Sequence, residues 1–328
     1  MPATARPALV PRYPAAVAHC TVVGAGIIGL AVADELEGRG HDVEIIADST
    51  GGATTSAVAG AIWFPYRSGT SPRVATWARR TRDRWMAIAG AHPEAGVDVL
   101  DVYECTADGA EPWWAEGIEL ALVPAPVAGA PLAWRFRAPR IEPAVVMPWL
   151  EHRRQRPIRR DRAARLGDLP GDMVIHCSGL GARTLAADRS VEAVYGHVVV
   201  VEPGTIDLSI SFTDDRPPGP IFYSIPRRTE VVLGGVSEPC DHDRALHPDP
   251  AVRDRILDQC RRLGWNPGRV LRERAGLRPF RPEVRVERDP LEPRIIHCYG
   301  HGGAGFTLAW GCAEAVADLV ATGGHRRD

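Results

Sequence analysis

Residues 20–48 read CTVVGAGIIGLAVADELEGRGHDVEIIAD. The apolar run CTVVG predicts a short strand, and the periodic apolar residues after Gly29 predict a helix. A second strand is expected in HDVEIIAD, after Gly40. Between the first strand and the helix, Gly24, Gly26 and Gly29 form G-x-G-x-x-G. The first glycine permits a tight turn, the second lets backbone approach a pyrophosphate, and the third lets helix and strand pack closely. The helix N-terminus adds a positive dipole. Gly24, Ala25, Gly26, Ile27, Ile28 and Gly29 are therefore expected to bind a dinucleotide. The acid that should hold the ribose is displaced by one position: Ala47 ends the second strand and Asp48 follows. Asp48 as a simple turn former is the competing reading.

Downstream, STGGATTSAVAGAIWFPYR supplies Ser49, Thr54, Thr55 and Ser56, then Gly60, Ala61 and Ile62. Small hydroxyl residues and accessible amides suit a segment that runs along a cofactor. From residue 67 to about 144 the strand–helix rhythm is lost and Trp and Pro accumulate, as in a substrate-facing insertion. A buried strand in GDMVIHCSGLGA, ending at Ser178 and Gly179, returns to the nucleotide unit. The chain leaves again from Tyr195 through further strands and a helix near 250–265. It closes with a strand, the turn Gly302, Gly303, Ala304, Gly305, Phe306 and Thr307, and a last helix. Amides in such a turn stabilise negative charge on an adjacent ring, as on a reduced flavin.

Composition narrows the chemistry. The 328 residues carry a formal charge of -2, which offers no electrostatic case for nucleic acid or an anionic membrane. All 39 Lys+Arg residues are arginine. Schiff-base and P-loop lysine chemistry are thereby excluded. The seven cysteines, at 20, 105, 177, 240, 260, 298 and 312, show no C-x-x-C spacing, so a reducing compartment and no metal are expected. Cys240, His242 and His247 match no standard zinc spacing. The first 20 residues contain no apolar stretch suited to a signal peptide, and a cytoplasmic location is expected.

Taken in order, VVGAGIIGLAVADEL, ADSTGGATTSAVAGAIWFPY, VIHCSGLGA, YSIP followed by VVLGG, GLRPFRPEVRVE and CYGHGGAGFTLAWG resemble the D-amino acid oxidase family over nearly the whole chain. The resemblance implies an α/β fold in which a Rossmann-like FAD-binding domain (18–66, 145–194 and 272–325) interleaves with an antiparallel-sheet substrate domain (67–144 and 195–271). It implies FAD as cofactor, an amino acid and dioxygen as small-molecule partners, and allows a homodimer without requiring one. The implied reaction is hydride transfer from a D-amino acid to flavin N5, giving an imino acid that hydrolyses to a 2-oxo acid and ammonia, with hydrogen peroxide formed on reoxidation. An amine oxidase acting on glycine, D-aspartate or a biosynthetic amino acid, and a non-catalytic flavin-binding regulator, remain open.

In AGLRPFRP, Arg278 matches the arginine that pairs with the substrate α-carboxylate, a planar fork against a planar anion. Tyr223 matches the hydroxyl sharing that carboxylate, and the Gly303 carbonyl matches the group receiving the amine. The alternative for Arg278 is an ion pair with Glu273 or Glu283. Phe64, Tyr66 and Ile225 are expected in the substrate pocket, with Phe64 and Ile225 favouring an apolar side chain and Arg216 an acidic one. The chain departs from the family at Phe64, at Tyr195-Gly196-His197, and in a short loop TDDRPPGP that would otherwise carry a lid tyrosine.

Overall fold

The glycine-flanked unit folds as its periodicity dictates: β1 (His19–Val23), α1 (Ile27–Gly38) and β2 (Asp42–Ala47), with β1 and β2 parallel. The computed structural model describes residues 17–66, 68–216, 221–244 and 246–322. The reading of residues 1–16 as leaderless, the lid-loop residues 217–220, Arg67 and residues 323–325 of the expected cofactor segment lie outside the described residues.

The chain continues through α2 (Pro72–Ala91), β3 (Val97–Thr106), β4 (Ala121–Pro124), β5 (Leu132–Ile141), α3 (Pro143–His152), β6 (Arg159–Arg160), β7 (Met173–His176) and a single helical turn, α4 (Ala182–Leu185). It then forms β8 (Glu192–Val201), β9 (Ile210–Asp214), β10 (Phe222–Pro226), β11 (Val231–Gly234), β12 (Glu238–Cys240), α5 (Pro250–Arg262), β13 (Val270–Arg288), β14 (Ile295–His301) and α6 (Gly305–Thr322).

These strands form one sheet in the order β4-β5-β3-β9-β10-β11-β8-β13-β14-β7-β1-β2-β6, with β12 paired to β8 off this path. From β14 to β6 the neighbours are parallel, as in a doubly wound fold. From β4 to β14 they are antiparallel apart from β3 and β9. The two regimes meet at β14, parallel to β7 and antiparallel to β13, and β13 pairs with β8 along 270–280 and with β14 chiefly along 285–288.

One core joins α1 and α6 to the parallel strands and takes in Trp63, Trp77, Trp85 and Trp310. Helix α2 starts on a Ser71 cap that accepts from the Val74 N–H, with Pro72 at the first helical position. It is fastened to α6 by Trp85 Nε1 donating to the Phe306 carbonyl (2.8 Å) and the Gly311 N–H donating to Thr81 Oγ1 (2.8 Å). A second core packs α5 against Tyr195, Val199, Phe212, Phe222 and Leu233. The opposite face of these strands presents Val198, Val200, Ile225 and Val232. This period-two alternation assigns each side chain of the antiparallel half to helix or cavity. No helix of the described residues is long and apolar enough to cross a membrane.

The α2–α6 contact has no room for a methyl group, because a Cβ on Gly311 would lie 2.3 Å from the Trp77 carbonyl oxygen. Gly311→Ala should force the helices apart and destabilise the protein by roughly 1–3 kcal/mol. A thermal melt lower by several degrees than that of the exposed-site control Gly38→Ala checks this.

Candidate active site

A cavity of about 660 Å³ runs from the first glycine turn to the strand face carrying Tyr223. Gly24 has a φ of 111°, and a Cβ there would lie 2.6 Å from the Cys177 carbonyl oxygen. Only glycine fits this turn. Helix α1 has no side-chain cap, and the Ile27 N–H donates instead to Ser56 Oγ at 3.0 Å. The hydroxyl segment is thus held across the helix N-terminus, at the cavity wall. Gly60 anchors its far end: its carbonyl accepts from the buried Arg227, and a Cβ on it would meet Ile225 Cδ1 at 2.7 Å.

The cavity brings together Gly24, Ala25, Gly26, Ile27 and Ile28 with Asp48, Ser49, Thr54, Thr55, Ser56, Gly60, Ala61 and Ile62. Ser178, Gly179, Gly302, Gly303, Gly305 and Phe306 complete this wall, and Phe64, Tyr66, Tyr223, Ile225 and Arg278 line the cavity as well. Three residues expected at the cofactor do not line it. Gly29 packs beneath the turn, where a Cβ would sit 1.9 Å from the Gly24 carbonyl oxygen. Ala304 is fully buried, and the Thr307 hydroxyl donates to the Phe64 carbonyl at 2.8 Å and accepts from the Phe64 N–H at 3.2 Å. Thr307 therefore positions the Phe64 segment.

Arg278 and Tyr223 lie over glycine floors. A Cβ on Gly196 would be 2.7 Å from Arg278 Cζ, and one on Gly234 would be 2.0 Å from Tyr223 Cζ. Arg278 donates Nη1 to the carbonyls of Val236 (3.0 Å) and Tyr195 (3.3 Å), and has no carboxylate partner among the described residues. Glu273 is engaged by His197 (3.0 Å) and Arg253 (3.6 Å), so the alternative ion pair is not formed there. Glu283 accepts from Arg281 through its backbone carbonyl (2.7 Å) and forms no ion pair with Arg278. Burial raises the Tyr223 hydroxyl above its ordinary value against the lowering effect of Arg278, so it remains a proton donor at neutral pH. A Cβ on Gly303 would lie 3.0 Å from the Tyr66 ring and 3.5 Å from Arg278 Cδ, which places the glycine turn beside the pair.

Some expected positions take other roles. Tyr195 and His197 face the α5 side, where the Tyr195 hydroxyl donates to the His247 carbonyl (3.0 Å), and only Gly196 of the three faces the cavity. Arg216 is held in a fork by its neighbour Asp214 (2.8 and 2.9 Å) and does not line the cavity. Phe64 stands edge-on to Trp114, with ring centroids 6.0 Å apart.

Two features were missed. Behind the last glycine turn, the buried Cys298, His301 and Cys312 bring their ligand atoms within 4.8 Å of one another. The C-x-x-H start of that set becomes visible only once β14, turn and α6 are folded together. The second is a chamber of about 610 Å³ that shares Phe64, Tyr66 and Ile221 with the main cavity and carries Glu104 in its wall. A lone glutamate in an irregular-looking insertion gives no sequence signal.

The chain belongs to the FAD dependent oxidoreductase family, whose pattern matches residues 19–319. It is 38% identical over 324 residues to the D-amino-acid oxidase of Rubrobacter xylanophilus, covering 93% of this chain and 96% of that protein. It is 32% identical over 334 residues to human D-aspartate oxidase, covering 92% of this chain and 94% of that one. Among solved structures, glycine oxidase from Geobacillus kaustophilus is similar in fold, with a TM-score of 0.77 at 19% identity over 93% of this chain and 94% of that chain. The residues fit the family's cofactor: the Gly24 position tolerates only glycine, α1 begins at the cavity without a side-chain cap, and Asp48 lines the same cavity.

Glu104 makes a testable demand on stability. Burial, and secondarily the negative charge of Asp215, push its carboxyl up from an ordinary 4.5 to about 8. A folded-state pKa raised in this way means that ionising the group costs stability as pH rises from the lower value through the higher. In ligand-free protein, Glu104→Gln should melt level with wild type near the lower value and increasingly above it as pH approaches 8. Paired thermal melts across that window check the sign.

Proposed function

We propose that this protein is an FAD-dependent D-amino-acid oxidase that converts a D-amino acid to an imino acid, hydrolysed in water to the 2-oxo acid and ammonia. The observation that carries this reading is Arg278, a cavity-wall guanidinium with no carboxylate partner among the described residues, beside the Tyr223 hydroxyl and the Gly303 turn. We assign cofactor binding to segments 18–66, 145–194 and 272–325, and substrate binding to 67–144 and 195–271. Gly24 to Ile28, Asp48, the 54–62 segment, Ser178, Gly179 and the 302–306 turn would hold FAD, the latter with its amides toward the ring. Bound FAD supplies the two-electron acceptor and passes the electrons to dioxygen, which leaves as hydrogen peroxide.

The protein's own contribution is positioning. Arg278 and the Tyr223 hydroxyl hold the α-carboxylate, and the Gly303 carbonyl accepts an N–H of the neutral amine. These contacts fix the α-carbon, and loss of its hydrogen with the bonding electrons leaves the C=N bond of the imino acid. A D-aspartate-directed reading would need a free cation for the second carboxylate, and the pairing of Arg216 with Asp214 argues against it. A purely regulatory flavoprotein would have no use for an unneutralised arginine and a buried hydroxyl on the same wall.

Anaerobic mixing of the purified yellow protein with a panel of D- and L-amino acids and glycine, followed by flavin absorbance, tests this reading. D-amino acids should bleach the flavin. Arg278→Ala should lower kcat/KM by about a thousandfold, as two charge-assisted hydrogen bonds are lost. Tyr223→Phe, which loses one neutral donor, should cost roughly tenfold. Failure of every D-amino acid to reduce properly bound FAD would overturn the proposal.

A further inference from the structure

A single row of residues crosses the sheet from the Arg278–Tyr223 pair into the second chamber. Tyr223 on β10 is in register with Thr213 on β9, Thr213 with Glu104 on β3, and Glu104 with Trp134 on β5. Residues in register on neighbouring strands project from one face, so Glu104 and Trp134 share the cavity face with Tyr223. Two strand spacings place Glu104 about 10 Å from Tyr223, backbone to backbone. On the other side of Tyr223 the row continues with Gly234, and the tyrosine ring leans over it. Within this row the residue between Tyr223 and Glu104 is Thr213, a short side chain.

The wall of the chamber at the Glu104 end carries Glu104, Glu238 and Arg255. Arg255 is taken by Glu238 at 3.3 Å. Glu104 forms no ion pair among the described residues, and its Oε2 is buried without a hydrogen-bond partner. A buried, unpartnered carboxylate oxygen is costly and is relieved by a cation. Trp113, Trp114 and Trp134 line the same chamber. Indole faces attract ammonium and guanidinium groups and tolerate aliphatic stems.

We propose that Glu104 is a specificity-determining residue of the substrate pocket and that the side chain it receives is cationic, an aliphatic stem ending in ammonium or guanidinium as in D-lysine or D-arginine. This rests on the oxidase reading above. The α-carboxylate is held at Arg278 and Tyr223, the stem passes Thr213, Tyr66 and Phe64, and the cationic end meets Glu104 between the indoles. The apolar side chain expected from Phe64 and Ile225 becomes the stem of a longer one.

The test compares kcat/KM for D-lysine and D-arginine with that for D-norleucine, an uncharged analogue of lysine, in FAD-loaded wild type, Glu104→Gln and Glu104→Asp. Wild type should favour the cationic substrates, and Glu104→Gln should shrink the lysine-to-norleucine ratio by about ten- to a hundredfold, chiefly through KM for D-lysine. Glu104→Asp, which keeps the charge, should retain part of the ratio. The wild-type ratio is decisive even if a variant does not fold. Oxidation of D-norleucine as well as or better than D-lysine, or a ratio indifferent to Glu104→Gln, overturns the subsite and leaves the oxidase reading standing. Absence of oxidation of any D-amino acid overturns the oxidase reading, and the subsite falls with it.

Discussion

Strand β13 is hydrogen-bonded to both halves of the molecule, and the site depends on that shared pairing. Its first part belongs to the antiparallel ladder with β8, and its end pairs with β14 at the edge of the parallel region. The register shifts between Phe280 and Arg285, and Pro279 and Pro282 flank the start of this stretch. Proline has no N–H to give, so a ladder that changes partner is a place where it can be accommodated. Arg278 lies two residues before that change, and the Pro279 carbonyl accepts the Gly302 N–H at 2.8 Å. One hydrogen bond thus couples the strand carrying the guanidinium to the turn carrying Gly303.

Of the six arginines of this strand, those at 278, 281 and 285 lie nearest the change of partner, and their contacts show why only the first is available. Arg281 pairs with Asp188 at 3.0 Å, and Arg285 donates to the Tyr299 hydroxyl (2.6 Å) and to Glu287 (2.8 Å). Burial opposes ionisation of Asp188, but hydrogen bonds from Ser190 and Tyr299 and the charge of Arg281 hold its carboxyl down to about 2. These two arginines serve the fold. Arg140 and Arg227, more deeply buried, donate to backbone carbonyls of Pro226 (3.0 Å) and Ile141 (2.8 Å). They brace the junction between β5, β10 and the segment over α1. Arg278 also touches carbonyls, but it is turned over Gly196 toward open volume instead of toward an anion of its own chain.

Much of the nucleotide unit was legible because its physics is local. A turn that collides with backbone at any Cβ must spell glycine, and the helix after it must be apolar on the buried side. The Arg278, Tyr223 and Gly303 assignments came from matching segments to a family, and the fold brings these residues to one wall. The contact of the Thr307 hydroxyl with the Phe64 backbone was not legible, because nearness to a helix start says nothing about the backbone that a hydroxyl faces. Tyr195 and His197 were placed near the active side because a strand's two faces cannot be told apart until its partners are known; Val199 and Val201 fix that face against α5. Glu104 was invisible for a related reason. Strand β3 is largely half-buried, so its alternation is blurred, and its register with β9 and β10 belongs to the folded sheet alone.

That register also decides the electrostatics of the pocket. Among the described residues, the site presents a guanidinium without a carboxylate at one end and the carboxyl group of Glu104 without a cation at the other, on one face of one sheet. They are not each other's partner: Arg278 lies over β8, and β11, β10 and β9 separate that strand from the one bearing Glu104. At such a separation the attraction is too weak to draw the side chains out of their niches, while each still bears the cost of partial desolvation. The ligand that relieves both at once is anionic where Arg278 stands and cationic where Glu104 stands. Under the proposed subsite, a neutral amino acid would satisfy only the first condition and an acidic one would add a charge of the wrong sign to the second, so the two groups together would select for charge placement as well as for length.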